Sequence, residues 1–294
     1  MRHLWYIVIP ILAVQIYLGY FLDDGQPNLR RLPPQEHKVS ADPLKNALGP
    51  TLKPGSPLDA VFTVDVGTKN SSIGTAFSVS EDGIWFTARH VVDGCDRVGL
   101  QVEKRRAIKV LRLLVHPKAD IAILWTRDGR PGISIASAEL RKNQVGYHIG
   151  YPEGRPGEVI SSLIGRRNMR TVGRYRQVEP VVAWVERKRN PKTSTLGGLS
   201  GGPALNRSGE IVGVTVAASK RRGRVFTTAR SSMDAILSLA NIQPKGSPSG
   251  GLSVTPSTGT HIEYGRQLRK ELIVAKVLCL IERSKRRRTI SRGF

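Results

Sequence analysis

Gly197-Gly198-Leu199-Ser200-Gly201-Gly202-Pro203-Ala204-Leu205-Asn206-Arg207-Ser208-Gly209-Glu210-Ile211-Val212-Gly213-Val214-Thr215-Val216 is the stretch on which the reading of this chain turns. A serine with glycines on both sides seldom serves packing alone, since glycine costs backbone entropy wherever it is ordered. In this loop the glycines at 198, 201 and 202 let the chain turn tightly and approach a bound molecule closely. Ser208-Gly209 marks a second turn, and the β-branched run after it reads as a strand.

Outward from this stretch, short apolar runs recur at 60–66, 73–79, 84–87, 98–102, 108–115, 121–125, 146–150, 159–164, 181–185, 211–217 and 225–228. Turn signals such as Glu81-Asp82-Gly83 and Arg127-Asp128-Gly129 separate many of them. Many short strands with turn punctuation predict an all-β sandwich or barrel. Residues 231–240 then predict a helix, with Ser231 or Ser232 as cap and Met233, Ile236, Leu237 and Leu239 on its apolar side.

Two further segments complete a pattern: Phe86-Thr87-Ala88-Arg89-His90-Val91-Val92-Asp93-Gly94, and Ala119-Asp120-Ile121-Ala122-Ile123-Leu124. A histidine after a strand or an aspartate opening one is commonplace. The order His, Asp, Ser on a chain of short strands is a joint signal for nucleophilic catalysis. A serine hydroxyl is a weak nucleophile at neutral pH, so a base must take its proton. His90 suits that task because an imidazole titrates near neutrality. Asp120 would hold the ring in one tautomer and stabilise the imidazolium. The turn before Ser200 is expected to aim the amides of Gly198 and Ser200 at a developing oxyanion, where one lost donor costs about 3–4 kcal/mol of barrier.

These segments resemble those of trypsin-like serine proteases, most of all the bacterial HtrA/Deg branch. FTARHVVDG resembles its His segment, ADIAIL its Asp segment and GLSGGP its Ser segment; Gly146-Tyr147-His148-Ile149-Gly150-Tyr151-Pro152 resembles the opening of its second barrel. The resemblance spans roughly residues 58–240. It implies a chymotrypsin-like double six-stranded β-barrel with His90, Asp120 and Ser200 at the junction, and neither metal nor organic cofactor. It implies a substrate-binding strand at Thr215, Val216 and Ala217, with the base of the specificity pocket near Ser194. No carboxylate occurs from 190 to 206 or from 211 to 218, so cleavage after small or medium apolar residues is expected rather than after Lys or Arg. Leu199 stands where digestive members carry an aspartate, so activation by pairing with a freshly cut amino terminus is not expected. The residues after 242 read as linker and basic tail, so a PDZ domain is not expected either. His148 reads as a hydrogen-bonded barrel residue, His116 as a loop residue, and the basic clusters at 187–192 and 220–224 as surface that would steer acidic substrates.

The ends of the chain carry different signals. From Leu4 to Leu22 no residue is charged, and aromatic rings sit near both limits, which predicts a transmembrane signal anchor over 1–25. No small-x-small cleavage site follows; the alternative is a cleaved leader and secretion to the periplasm. The expected order is anchor, linker 26–57, protease domain 58–242, flexible linker 243–260 and a basic helix or tail 261–294. The net charge of +23 divides as +2 in 1–54, +13 in 55–242 and +8 in 243–294. The basic tail is a candidate for contact with anionic lipid or an acidic protein. Cys95 and Cys279 lie far apart and indicate no disulfide framework; Cys95 reads as a semi-buried thiol. The expected function is a membrane-tethered serine endopeptidase acting outside the cytoplasm on exposed or misfolded polypeptide. The alternative is a trypsin-like fold that no longer cuts and binds anionic partners. Nothing in the sequence supports specific nucleic-acid binding: there is no zinc pattern, RNP-like motif or aromatic stripe.

Overall fold

The computed structural model describes residues 48–219 and 222–282. The anchor read from Leu4 to Leu22, most of the tether after it and the basic run 283–294 lie outside the described residues. Among the described residues, no helix is long and apolar enough to cross a membrane.

The first half of the chain forms β1 (Val61–Val66), β2 (Ser72–Ser80), β3 (Ile84–Thr87), a single-turn α1 (Arg89–Val92), β4 (Arg97–Glu103), β5 (Arg106–Lys109), β6 (Arg112–Val115), β7 (Ala122–Trp125) and β8 (Gly132–Ile133). The second half forms β9 (Val145–Gly150), β10 (Gly157–Gly173), β11 (Gln177–Asn190), β12 (Pro203–Leu205), β13 (Ile211–Ser219), β14 (Arg224–Thr228), α2 (Arg230–Ala240), β15 (Gly246–Ser247), α3 (His261–Lys270) and β16 (Val274–Leu280). Strands β2, β3 and β7 are buried on both faces because each face meets a core; β2 keeps Thr75, Ser78 and Ser80 among its buried residues. Phe77, Val79, Phe86 and Ile123 join one cluster, while Ala76, Trp85, Ala122 and Leu124 join another. This double burial makes their sequences continuous rather than alternating.

Two seven-stranded sheets result. The first runs β5-β4-β16-β2-β3-β7-β6. Its two end strands are neighbours in sequence: Val110 N–H donates to Val98 O at 3.2 Å and Leu111 N–H donates to Trp125 O at 2.8 Å, so this sheet curls until its ends meet. The second runs β1-β10-β11-β14-β13-β12-β9, and β9 also pairs with β10, closing a ring. Strand β1 is added outside that ring, parallel to β10, with Val61 opposite Asn168 and Val66 opposite Gly173.

The segment after residue 242 departs from the sequence reading. The expected flexible linker is packed: β15 pairs with β8, Ser249 N–H donates to Gly209 O at 2.9 Å, and Tyr264 Oη donates to Ser249 Oγ at 3.1 Å. The expected basic helix ends at Lys270. Leu272 takes φ 54°, and the chain turns into β16. Arg269 forms a buried ion pair with Glu158, tying α3 to β10. Strand β16 lies antiparallel between β2 and β4, with Val274 opposite Phe77 and Val277 opposite Leu100. The body of the fold therefore continues past residue 242, to Leu280. Cys95 and Cys279, read as unpaired, form a disulfide. A cross-link spanning 184 residues constrains the unfolded chain by about 5 kcal/mol in the chain-entropy treatment. Helix α2 starts at Arg230, and neither serine caps it; its N-cap is Ala229, without a side-chain bond.

Candidate active site

His90 stands on α1, directly after β3, and Asp120 directly precedes β7, which pairs with β3 with Thr87 opposite Ala122. That register brings the two side chains together. His90 Nδ1 lies 2.6 Å from Asp120 Oδ2, and His90 backbone N–H donates to Asp120 Oδ1 at 2.8 Å. Each carboxylate oxygen accepts from His90, fixing ring and loop together, and Oδ1 also accepts from the Tyr175 hydroxyl at 3.5 Å. Asp120 is 2% exposed, so bulk water competes little for these bonds.

Ser200 comes from the second half of the chain. Its loop is held from both sides: Thr75 N–H on β2 donates to Ser200 O at 2.8 Å, and Gly201 N–H donates to Thr215 O on β13 at 2.7 Å. The Thr75 hydroxyl donates to Gly198 O at 2.7 Å. Gly198 and Gly201 take φ +94° and +86°, and a Cβ on Gly201 would lie 2.1 Å from Thr75 O, so both the torsion and the space demand glycine. Among the described residues, the amides of Gly198 and Ser200 donate no hydrogen bond, and the Ser200 hydroxyl makes none. His90, Asp120, Gly198, Ser200, Val216 and Ala217 line one cleft of about 440 Å³. Leu199, buried beside this loop, packs in the cluster of Trp184 and Leu163.

An adjoining cavity of about 230 Å³ shares Ser200 and Ala217 and adds Leu196 and Thr215, together with Glu186, Arg189 and Arg224. Ser194, the expected pocket base, lines neither cavity. It is exposed and donates to Glu153 Oε1 at 2.6 Å, and this bond holds the Glu153 carboxyl below its ordinary range. His148 is a fully buried sheet residue, hydrogen-bonded to Thr215 Oγ1 at 3.1 Å and Ser161 Oγ at 2.8 Å; burial lowers its pKa to about 3. Among the described residues, no group of three or more His, Cys, Asp or Glu side chains could hold a metal ion.

Sequence reasoning missed several residues of this site. Thr75 is one, hidden as an ordinary strand threonine. Lys69 is another: its Nζ donates to His90 O at 3.0 Å and Val91 O at 2.8 Å, and burial lowers its pKa to about 8, with Arg174 adding to the effect. The most consequential is Glu179 on β11. It is 1% exposed, and its Oε1 accepts the Asp120 N–H at 2.9 Å while its Oε2 has no partner. Burial, reinforced by the Asp120 charge, raises its pKa to about 8. A carboxyl that is neutral when folded and ionised when unfolded makes folding take up a proton between the two pKa values, so stability falls as pH rises through that range. Stability is therefore full below the unfolded value of 4.5 and lost as pH rises toward about 8. Glu179→Gln keeps an acceptor for the Asp120 amide and cannot ionise. In urea denaturation, the natural chain is expected to lose stability relative to Glu179→Gln as pH rises through that window. A constant difference from pH 4.5 to 8.5 would show that Glu179 does not titrate there.

Residues 74–214 match the family model of the trypsin-like peptidase domain. The match covers just under half of the chain, and the matched segment is mostly β. Among curated proteins the chain is similar to a "Probable periplasmic serine endoprotease DegP-like" of Halomonas elongata, 32% identical over 154 residues, covering 52% of this chain and 31% of the relative. It is also similar to the protein of the same description from Pseudomonas savastanoi pv. phaseolicola, 27% identical over 202 residues, covering 67% and 38%. The chain thus spans about a third of the length of these relatives. Among solved structures it aligns with the active form of the Rv3671c protease of M. tuberculosis at 18% identity and TM-score 0.48, covering 67% of this chain and 97% of that one. It aligns with the HtrA-type protease AlgW at 22% identity and TM-score 0.47, covering 59% and 52%.

Proposed function

We propose that the chain is a serine endopeptidase that hydrolyses exposed or misfolded polypeptides through Ser200, His90 and Asp120. The observation that carries this reading is the His90–Asp120 pair, closed at 2.6 Å on the cleft that Ser200 also lines. The Asp120 bond keeps the proton on Nδ1, leaving Nε2 free to take the proton of the Ser200 hydroxyl. Ser200 Oγ then adds to the scissile carbonyl carbon. The oxygen that gains charge is met by the unengaged amides of Gly198 and Ser200. His90 returns the proton to the leaving amine, and the acyl group stays on Ser200. Water, deprotonated by the same ring, releases it and restores the hydroxyl. An apo site without a closed Ser–His bond is compatible with this sequence, because such bonds tighten when substrate is bound.

The competing reading, a binding module for anionic partners, predicts an inert serine. A fluorophosphonate probe is expected to label Ser200 of the natural chain and to leave Ser200→Ala and His90→Ala unlabelled. An unlabelled natural chain would favour the binding module.

The periplasmic character of the relatives and the uncharged run from Leu4 to Leu22 support a protease domain held outside the cytoplasm by a membrane anchor, with the basic residues 283–294 available to anionic lipid or acidic protein. The full-length chain is expected to stay in the membrane pellet through alkaline wash, and removal of 1–25 to release it. A soluble mature chain beginning near residue 23 would show a cleaved leader instead.

A further inference from the structure

The cavity next to Ser200 has a charged lining: Arg189 and Arg224 belong to the basic clusters read from the sequence as surface, yet both line this cavity together with Glu186. Thr215, Ala217 and Leu196 line it beside Ser200, as a pocket for the side chain preceding the scissile bond requires. Strands β11 and β14 also contribute to its lining. There Glu186 and Arg189 form a two-pronged pair, Nε to Oε1 at 2.8 Å and Nη2 to Oε2 at 2.6 Å, and Arg189 Nη1 also donates to Thr193 O at 2.8 Å. The side chains of this pair are 15% and 18% exposed, so it is largely shielded from solvent. Arg224 lines the same cavity. It is half-buried, and among the described residues its guanidinium has neither an ion-pair nor a hydrogen-bond partner.

The charges decide which side chain fits. Both Glu186 oxygens are taken by Arg189, so they neutralise that arginine and have little left for a substrate cation. Arg224 is left as one uncompensated positive charge. A Lys or Arg side chain would be brought against it in a space of reduced dielectric. An apolar side chain would strip water from Arg224 and offer nothing in return. A carboxylate would supply the missing partner in the fork geometry that guanidinium favours. We propose that this cavity is the specificity pocket and that Arg224 selects substrates with Glu or Asp at the residue whose carbonyl is attacked. The assignment rests on the peptidase reading above and replaces the expectation of apolar preference. That expectation rested on the absence of carboxylates from 190–206 and 211–218, whereas Glu186, Arg189 and Arg224 lie outside both segments.

The test has two arms. In the first, the full-length chain digests a peptide library, followed by kcat/KM on matched peptides with Glu, Leu or Lys at the cleaved position. Glu is expected to exceed both others at least tenfold. Arg224→Leu is expected to lower the Glu-to-Leu ratio at least tenfold, and Arg224→Lys to retain the acidic preference. Dominant cleavage after apolar or basic residues, or an unchanged ratio in Arg224→Leu, would overturn the pocket assignment while leaving the peptidase reading intact. The second arm needs no catalysis: fluorescent peptides ending in Glu, Leu or Lys amide are bound to full-length Ser200→Ala. Tighter binding of the Glu peptide, at least tenfold and weakening with salt, supports the pocket even if the natural chain cuts nothing. Equal binding of the three overturns it.

Discussion

Ser200→Ala is expected to lower kcat for cleavage of casein or a matched peptide by five to six orders of magnitude, about the loss seen when the nucleophile of such a constellation is removed. His90→Ala should cost nearly as much. His90→Ala added to Ser200→Ala should cost almost nothing further, because a base without a nucleophile has no proton to take. Asp120→Asn is the sharper probe of geometry. Asp120 accepts from two His90 donors, ring and backbone, and an amide can satisfy only one of them as acceptor. The ring then holds its proton on the wrong nitrogen, and a loss of about 10⁴ is expected. Since the same exchange also disturbs a buried loop, a thermal melt should accompany the kinetics. A full loss of activity with a small loss of stability assigns the effect to the tautomer. Activity of Ser200→Ala within tenfold of the natural chain would remove Ser200 from the mechanism.

What the sequence disclosed follows from where its signals are local. The serine loop was legible because its glycines are demanded by positive φ and by Thr75 O lying where a Cβ would be. His90 and Asp120 were legible because each adjoins an apolar strand, and the pairing of β3 with β7 joins them. Residues whose role arises from long-range pairing were not legible. Thr75, Glu179 and Glu186 are ordinary strand residues until the sheets close and bring them to the serine loop, to the Asp120 amide and to the cavity, and Arg224, read as part of a surface cluster, reaches the same cavity only through that closure. The C-terminal segment was misread for the same reason. Its apolar run is short and interrupted by Lys276, and a helix period and a strand period fit such a run about equally well. The β-branched Val274 and Val277 were the available hint. Its partners are some 180 to 200 residues earlier, at Val98–Gln101 and Ser72–Phe77. The disulfide is equally remote, and two distant cysteines carry no pairing signal of their own.

That misreading makes truncation the most informative stability experiment. A chain ending at Lys270 is expected not to fold. It lacks Ile273, Val274, Ala275, Val277 and Cys279, each at most 1% exposed in the full chain. Burying Ile273, Val274 and Val277 contributes about 1.5–3 kcal/mol each. With the disulfide constraint, the loss approaches the whole stability of a typical domain, about 5–15 kcal/mol. The cut also opens two strand edges inside the first sheet, those of β2 and β4, and unpaired edges favour aggregation. A chain ending at residue 282 keeps β16 and the disulfide and is expected to melt within a few degrees of the full chain. The full-length chain with both cysteines changed to serine should fall between the two, since it keeps the strand and loses only the cross-link. A Lys270-terminated chain that melts within about 5 °C of the full chain would show that β16 is not part of the cooperative unit, given that 1 kcal/mol moves the midpoint of a domain this size by about 2–4 °C. The effect should reach the site as well. In the register of the sheet, Lys276 of β16 lies opposite Thr75. Thr75 is the residue whose amide and hydroxyl hold Ser200 O and Gly198 O. Losing β16 frees one whole side of β2, and with it the strand that holds the loop of Ser200, the proposed nucleophile, and of the proposed oxyanion donors. Substitutions that weaken β16 without unfolding the chain, such as Val277→Ala, are therefore expected to lower kcat more than they raise KM.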